Sequence, residues 1–346
     1  MFRLNILLII FTLLAYLCPF VSPQAISFLM FMGLLYPYFL IFNIIFILIW
    51  RLSGYKHWRW SSVCLIAGIY YPAHLLSLHF FTQKPYGTVL KVISYNVNGL
   101  GVSSFKNKVE GLNRMSGFLE AQNADILCFQ EFMDIRNLKK NEVNNFFPGL
   151  EKYPFYFVTK DNCTAVFSKY PITGTKSFAL NNNFTNGCVS VDVKIKDKTV
   201  RFYSIQLQSN EISSMADNIA EKGIKSETGW LNILKIMNRF RKAGRKRTTE
   251  SETLENDIQQ SPYPVVVCGD FNDIPVSYSY HTLSRNLTDA FQASGNGLGF
   301  TYAGNIPGLR IDYTLTDKKI RVFNCHVDKV PFSDHYPVIS EMGLNY

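Results

Sequence analysis

Residues 263–273 read YPVVVCGDFND. Val265, Val266, Val267 and Cys268 form a short run of β-branched and small apolar residues, the pattern of a buried strand. Asp270, Asn272 and Asp273 follow at once, where a strand gives way to a loop. Taken singly, such residues are as often turn formers as anything else. The pattern repeats on either side. VLKVISYNV (89–97), ADILCFQE (124–131), CTAVFSKY (163–170), CVSVDVKI (188–195), TVRFYSIQL (199–207) and LRIDYTLT (309–316) all read as strands. Helical spacing falls near 106–122, 228–242 and 246–260. Strands interleaved with helices predict a layered α/β or α+β fold for the chain after about residue 85.

Before that point the composition changes. Residues 1–81 contain no Asp or Glu and only four basic residues, Arg3, Arg51, Lys56 and Arg59. Subtracting those four from the chain's 35 leaves 31 basic against 26 acidic residues in the remainder, a net charge of +5. That charge suits an anionic partner and equally an ordinary soluble surface. Three apolar stretches occupy roughly 4–21, 26–50 and 61–81. A bilayer core needs about 20 apolar residues in a helix, so about three transmembrane helices are expected within a membrane anchor at 1–84. The first stretch lacks the small-x-small pattern of a cleaved signal peptide. Arg51, Lys56 and Arg59, with Trp58 and Trp60, mark the 51–60 loop as cytoplasmic. An inner-membrane protein with residues 85–346 on the outer, periplasmic side follows from that count. No CxxC pair occurs among the seven cysteines, which argues against zinc. Cys163 and Cys188 are candidates for pairing in an oxidising compartment.

The chemistry-bearing residues lie at strand ends, where a scaffold fixes side chains and water still reaches them. Asn96 and Asn98 follow VISY, Glu131 ends ILCFQ, Asp270 and Asn272 follow VVVCG, Asp312 lies in RIDYTL, and Asp334-His335 precedes Tyr336-Pro337. Mg²⁺ takes oxygen ligands and keeps several waters, so one or two carboxylates such as Glu131 and Asp334 suffice to hold it. Asp270 is suited to orienting and deprotonating a water. His335 is suited to stabilising developing charge, best with its other ring nitrogen held by Asp312. Each residue alone has a bland explanation; the set in one chain does not.

SYNVNGL (94–100), CFQE (128–131), CGDFND (268–273), LRIDYTL (309–315) and SDHYP (333–337) resemble, in order and spacing, the endonuclease/exonuclease/phosphatase superfamily. The resemblance covers about residues 88–346. It implies an α/β fold, a four-layer α/β sandwich of two packed mixed sheets with the site at one edge. It further implies that Glu131 binds Mg²⁺ (Mn²⁺ being possible), with Asn96 beside it and Asp334 at the metal and water network. Asp270 then activates water, Asn272 holds phosphate, Asp312 supports His335, and His335 contacts the scissile phosphate. Asn98, Gln206 and Arg310 fall on the substrate side. Gln206 is a departure, because many members carry His there, and an amide cannot act as an acid at neutral pH.

These readings make the chain a metal-dependent hydrolase of phosphodiesters or phosphomonoesters, with nucleic acid or a lipid headgroup as substrate. The membrane, through residues 4–81, and the substrate are the partners expected; no obligatory protein partner is evident. A degenerate phosphate-binding module is the second reading, with Gln206 as its sign. The basic run RFRKAGRKR (239–247) reads as a solvated helix face, phosphate contact being the alternative. Met215, Trp230, Leu231, Ile233, Leu234, Ile236 and Met237 read as the buried stripe of a helix, a substrate- or membrane-facing surface being the alternative.

Overall fold

The valine run forms a strand that is buried along its whole length, Val265–Asp270. The computed structural model describes residues 1–79, 85–100, 106, 108–132, 148–159, 164–180, 186–210, 227–304 and 308–344. Its helices are α1 (Phe2–Tyr16), α2 (Phe28–Leu52), α3 (Trp58–Ala67), α4 (Tyr70–Leu75), α5 (Lys108–Gln122), α6 (Glu227–Gln259), α7 (Tyr278–Ser284) and α8 (Ala290–Ser294). Its strands are β1 (Ser77–Leu78), β2 (Val89–Asn96), β3 (Ile126–Gln130), β4 (Phe155–Val158), β5 (Ala165–Ser168), β6 (Ile172–Ala179) and β7 (Gly187–Ile195). They continue with β8 (Lys198–Gln206), β9 (Val265–Asp270), β10 (Thr288–Asp289), β11 (Asn296–Gly297), β12 (Asp312–Thr316), β13 (Ile320–Val327) and β14 (Val338–Leu344).

Two six-stranded sheets result, in the orders β13-β14-β2-β3-β5-β4 and β10-β12-β9-β8-β7-β6. Both are mixed. In the first only β2 and β3 run parallel; in the second only β8 and β9 do. The sheets pack face to face through Val92, Ile126, Cys128, Val191, Phe202 and Val266. The outer face of the first is covered by α5, whose Leu112, Met115 and Leu119 recur at helical spacing and meet Ile93, Leu127 and Phe129. The outer face of the second is covered by α6 and α7 through Leu254, Ile258, Tyr280 and Leu283. The order is helix, sheet, sheet, helix, as the resemblance implies. Gly269 permits one close approach: a Cβ there would lie 2.2 Å from the Ile205 carbonyl oxygen of the neighbouring strand.

The expectation of about three transmembrane helices is corrected. One described helix, α2 (25 residues), is long and apolar enough to cross a membrane. Only 22% of its most apolar window is buried in the chain, so it is not the core helix of a globular domain. α1 is apolar but has 15 residues. The third stretch breaks at Gly68 and Ile69 into α3 and α4, then leaves as β1, which pairs with β11 in a separate two-stranded sheet. The N-terminal helices therefore dock on the sandwich. Met32, Tyr36 and Tyr71 cluster with Ile274 and Val276.

α6 is also a correction: one helix of 33 residues replaces the two expected. Gly244 does not break it, because it admits Met30 of α2, whose methyl carbon would lie 1.8 Å from any Cβ there. The buried stripe expected in its first half is not observed, for Leu231, Leu234 and Met237 are exposed. That half extends past the sheet that buries the second half. Met215 and the Trp230 side chain lie outside the described residues, as does Cys163, and with it the Cys163–Cys188 pair.

Candidate active site

Parallel pairing brings the strand ends together. Register sets Asn96 opposite Gln130 across β2 and β3, and Gln206 opposite Asp270 across β8 and β9. β12 enters antiparallel with Asp312 opposite Asp270. Three residues at this edge hold a left-handed backbone, Glu131 (φ 48°), Asn272 (φ 52°) and Asn98 (φ 45°). Asn tolerates that region; for Glu it costs roughly 1–2 kcal/mol, a strain typical of functional positions.

The side chains converge on two carboxylates. Asn96 Nδ2 donates to Glu131 Oε1 at 3.2 Å and to Asp270 Oδ2 at 3.1 Å. Gln206 Nε2 donates to the same two oxygens, each at 3.1 Å. Gln206 thus holds the carboxylates, a task that needs a donor and no titrating group. The Asn272 backbone N–H donates to Asp270 Oδ1 at 2.8 Å, and its Nδ2 to Asp270 Oδ2 at 3.0 Å. The Asn98 N–H donates to Asn96 Oδ1 at 3.0 Å, which fixes the Asn96 amide and turns its N–H₂ toward the carboxylates. Asn96 therefore meets the cluster as a donor.

His335 lies on the other side of Asp270. Its Nδ1 faces both Asp312 oxygens, at 2.9 and 3.1 Å, and its Nε2 is 3.8 Å from Asp270 Oδ2. Ser333 places this loop: its hydroxyl donates to the Asn96 carbonyl at 2.8 Å and accepts from the His335 N–H at 3.1 Å. Asp334 lines the same cleft.

Burial sets the electrostatics. It pushes the Asp270 carboxyl up to about 7; the Asp312 and Glu131 carboxylates add to this and the His335 imidazole opposes it. Glu131 is raised too, chiefly by burial, with the Asn96 amide opposing. For His335, burial disfavours the charged ring, yet the carboxylates of Asp312 and Asp270 outweigh it and raise the imidazole to about 10. The ring is therefore an imidazolium at neutral pH. Replacing Asp312 with Asn removes the largest raising influence, so the alkaline limb of activity should move below pH 10 and the rate should fall about 10- to 100-fold. A pH–rate profile of Asp312→Asn checks this; an unmoved alkaline limb would show that Asp312 does not set the His335 charge.

Four carboxylates, those of Glu131, Asp270, Asp312 and Asp334, line or border this cleft against one imidazole among the described residues. The donors are hard oxygens, the set that fits Mg²⁺ or Mn²⁺. Asp270, Asp312 and His335 also bring ligand atoms within 4.8 Å of one another. Both Asp312 oxygens, however, already face Nδ1, so within that trio Asp312 is committed to the ring.

Arg310 is not brought to this cluster. It is buried with Nη1 on Asp289 Oδ2 at 2.8 Å and Nη2 on the His74 carbonyl at 3.0 Å, tying α4 to the sandwich. Its expected substrate contact is replaced by this structural one. Arg247, in the basic run read as a solvated face, is fully buried. It donates to Asp273 Oδ2, the Gln208 carbonyl and Asn210 Oδ1 at 3.2, 2.9 and 2.8 Å, and so holds the loops beside Asn272. Nothing in the sequence marks Arg247, and Ser333 was within reach only as a neighbour of Asp334-His335.

Residues 93–335 match the model of the Endonuclease/Exonuclease/phosphatase family, and residues 1–75 match a domain of unknown function. No curated protein matches the sequence. Among solved structures, an endonuclease/exonuclease/phosphatase family protein from Bacteroides thetaiotaomicron is similar with a TM-score of 0.54 at 16% identity, over 75% of this chain and 98% of that one. A humanized D. rerio TDP2 gives 0.53 at 15% identity, over 74% and 99%. The human Nocturnin catalytic domain, with a bound sulfate anion, gives 0.51 at 19% identity, over 75% and 96%. At these identities the likeness is one of fold.

Proposed function

We propose, given that the chain belongs to the endonuclease/exonuclease/phosphatase family, that it is a membrane-anchored, Mg²⁺-dependent hydrolase of phosphate esters. The observation that carries this is the convergence of Glu131 and Asp270, held by two amides, beside an imidazole held by Asp312. A phosphate-binding module needs donors; it does not need a buried and a half-buried carboxylate beside an imidazole held by a third.

Glu131, with Asn96 beside it and Asp334 on the same cleft, would hold the cation; Mn²⁺ suits the same oxygens. A cation bound there supplies positive charge to the phosphate oxygens. The remaining work belongs to the chain. Asp270, raised toward neutrality, takes a proton from the attacking water. The water oxygen bonds to phosphorus as the ester P–O bond breaks. His335 donates a hydrogen bond to the developing charge and returns a proton to the leaving oxygen. The Asn272 amide, which donates to Asp270 Oδ2 and the Leu207 carbonyl, holds the base in position.

α2 supplies the anchor. Its outward residues Ile41, Phe42, Ile45 and Leu48 are exposed large hydrophobics, a patch that water tolerates poorly. Arg51 and the basic residues after it mark the cytoplasmic end, so the end of α2 near the cleft lies on the outer side.

The test is hydrolysis by the full chain in detergent, with Mg²⁺ and with EDTA, against plasmid DNA, RNA, sphingomyelin, phosphoinositides and a generic phosphodiester. Turnover of one class that EDTA abolishes is the expected result. Turnover unaffected by EDTA would refute the metal, and none with a folded protein would leave a binding module. Cation affinity should also follow pH. The Asp270 carboxyl is raised to about 7, so below that pH it is neutral and adds no negative charge beside the cation. Affinity for Mg²⁺ should therefore rise about tenfold from pH 6 to pH 8, measured by titration calorimetry. A flat profile would place the cation elsewhere.

A further inference from the structure

The cleft is lined by polar and apolar side chains together. Its volume is about 260 Å³. Leu34, Phe240, Ile274, Leu309 and Ile311 form an apolar wall in it beside the acidic cluster. Phosphate hydrolysis by itself needs no such wall. Leu34 comes from α2, the proposed anchor, near its first turns. From Leu34 to its end at Leu52, α2 runs about 27 Å at the α-helical rise, close to the roughly 30 Å of a hydrocarbon core. The cleft thus sits level with one edge of the apolar span.

α6 gives a second, independent sign. Leu231, Leu234 and Met237 recur every three residues and are exposed. Farther along the same helix, Phe240 turns inward and packs on Phe31 of α2 with ring centroids 5.3 Å apart. Lys235, Arg241 and Lys242 are exposed on the same stretch. An exposed apolar row with basic neighbours is the pattern of a helix lying in a membrane interface, here beside the mouth of the cleft.

We infer that the substrate is a membrane phospholipid, whose phosphate ester lies on Glu131, Asp270 and His335 while its hydrocarbon part runs over Leu34 and Leu309 toward the bilayer. This rests on the hydrolase reading and narrows its substrate class. A nucleic acid is polar on both sides of its phosphate and would leave the apolar wall facing water. The helix that anchors the protein is then also a wall of its active site, and Leu34 and Leu309 determine specificity.

The test uses the full chain in detergent micelles with two esters that share one scissile bond, methyl p-nitrophenyl phosphate and hexadecyl p-nitrophenyl phosphate. The expected result is kcat/KM about 100-fold higher for the hexadecyl ester, as three or four methylenes buried on the wall would give. Leu34→Ala and Leu309→Ala should each lower that ratio about fivefold. Leu48→Ala, an exposed position on α2 beyond the cleft, should leave it unchanged and so corrects for partition into micelles. Equal rates for the two esters would overturn the lipid substrate and leave the hydrolase standing. A high ratio indifferent to Leu34→Ala and Leu309→Ala would overturn the wall. If neither ester is turned over, turnover of the five substrate classes above still decides the hydrolase reading. Binding of hexadecyl phosphate against methyl phosphate then reads the wall alone, equal affinities overturning it.

Discussion

Asp270→Asn should lower kcat by about 10³- to 10⁴-fold, the loss expected when a general base is removed. The fold should survive. The Asp270 carboxyl is buried and raised to about 7, which means that its charged form is disfavoured by the folded state. A neutral amide of the same shape relieves that cost, while its NH2 faces one of the N–H donors the carboxylate accepted from. The two effects oppose each other, so the unfolding temperature of the variant should change little. Steady-state kinetics beside a thermal melt decide it. More than about a tenth of wild-type activity in a folded Asp270→Asn protein would remove Asp270 from the role of base.

Loss of the His335 ring should be nearly as costly, about 10²- to 10³-fold in kcat, because it removes a preorganised donor aimed at developing charge. Cation affinity should persist in His335→Ala, since Glu131 and Asp270 keep their amide donors. The two titrations predict a bell for the wild type. Activity rises as Asp270 loses its proton near pH 7 and falls as His335 loses its proton near pH 10. In His335→Ala the alkaline limb should vanish, and the acid limb should move to higher pH because the imidazolium no longer opposes the rise of the Asp270 carboxyl. A variant that keeps both limbs, or one that loses cation binding together with activity, would show that His335 is structural.

The site was legible because its residues sit where a strand pattern stops. Asn96, Glu131, Gln206, Asp270 and Asp312 each close or open an apolar run, and two parallel pairs carry those ends to one edge. Direction was harder to read. Arg310 neighbours Asp312, but its side chain goes to Asp289 on the far side. Arg247 lies in a basic run whose other arginines are solvated, and only the loops it holds reveal its burial. β14 escaped notice because Ser340, Glu341 and Gly343 interrupt VISEMGL, although it pairs on both sides. The apolar segment at the start was read by hydropathy, which cannot separate a residue facing lipid from one facing a cleft. Leu34 looks like every other leucine of α2 until the sandwich is placed beside it. Three spans were expected because hydropathy ignores the break after Ala67 that sends the chain into β1.

One pairing bears on the order in which the protein is made. β14 lies between β13 and β2, so the first sheet is finished by a strand synthesised about 250 residues after β2. His335 arrives in the same late segment. A nascent chain carries the apolar helix α2 from the outset, yet until Val338–Leu344 has emerged β2 lacks one neighbour and Asp270 lacks its imidazole. The newborn protein therefore holds that helix long before its site is complete. Protease resistance of ribosome-stalled chains should accordingly appear in a single late step, at lengths that expose β14, and not gradually from residue 96 onward.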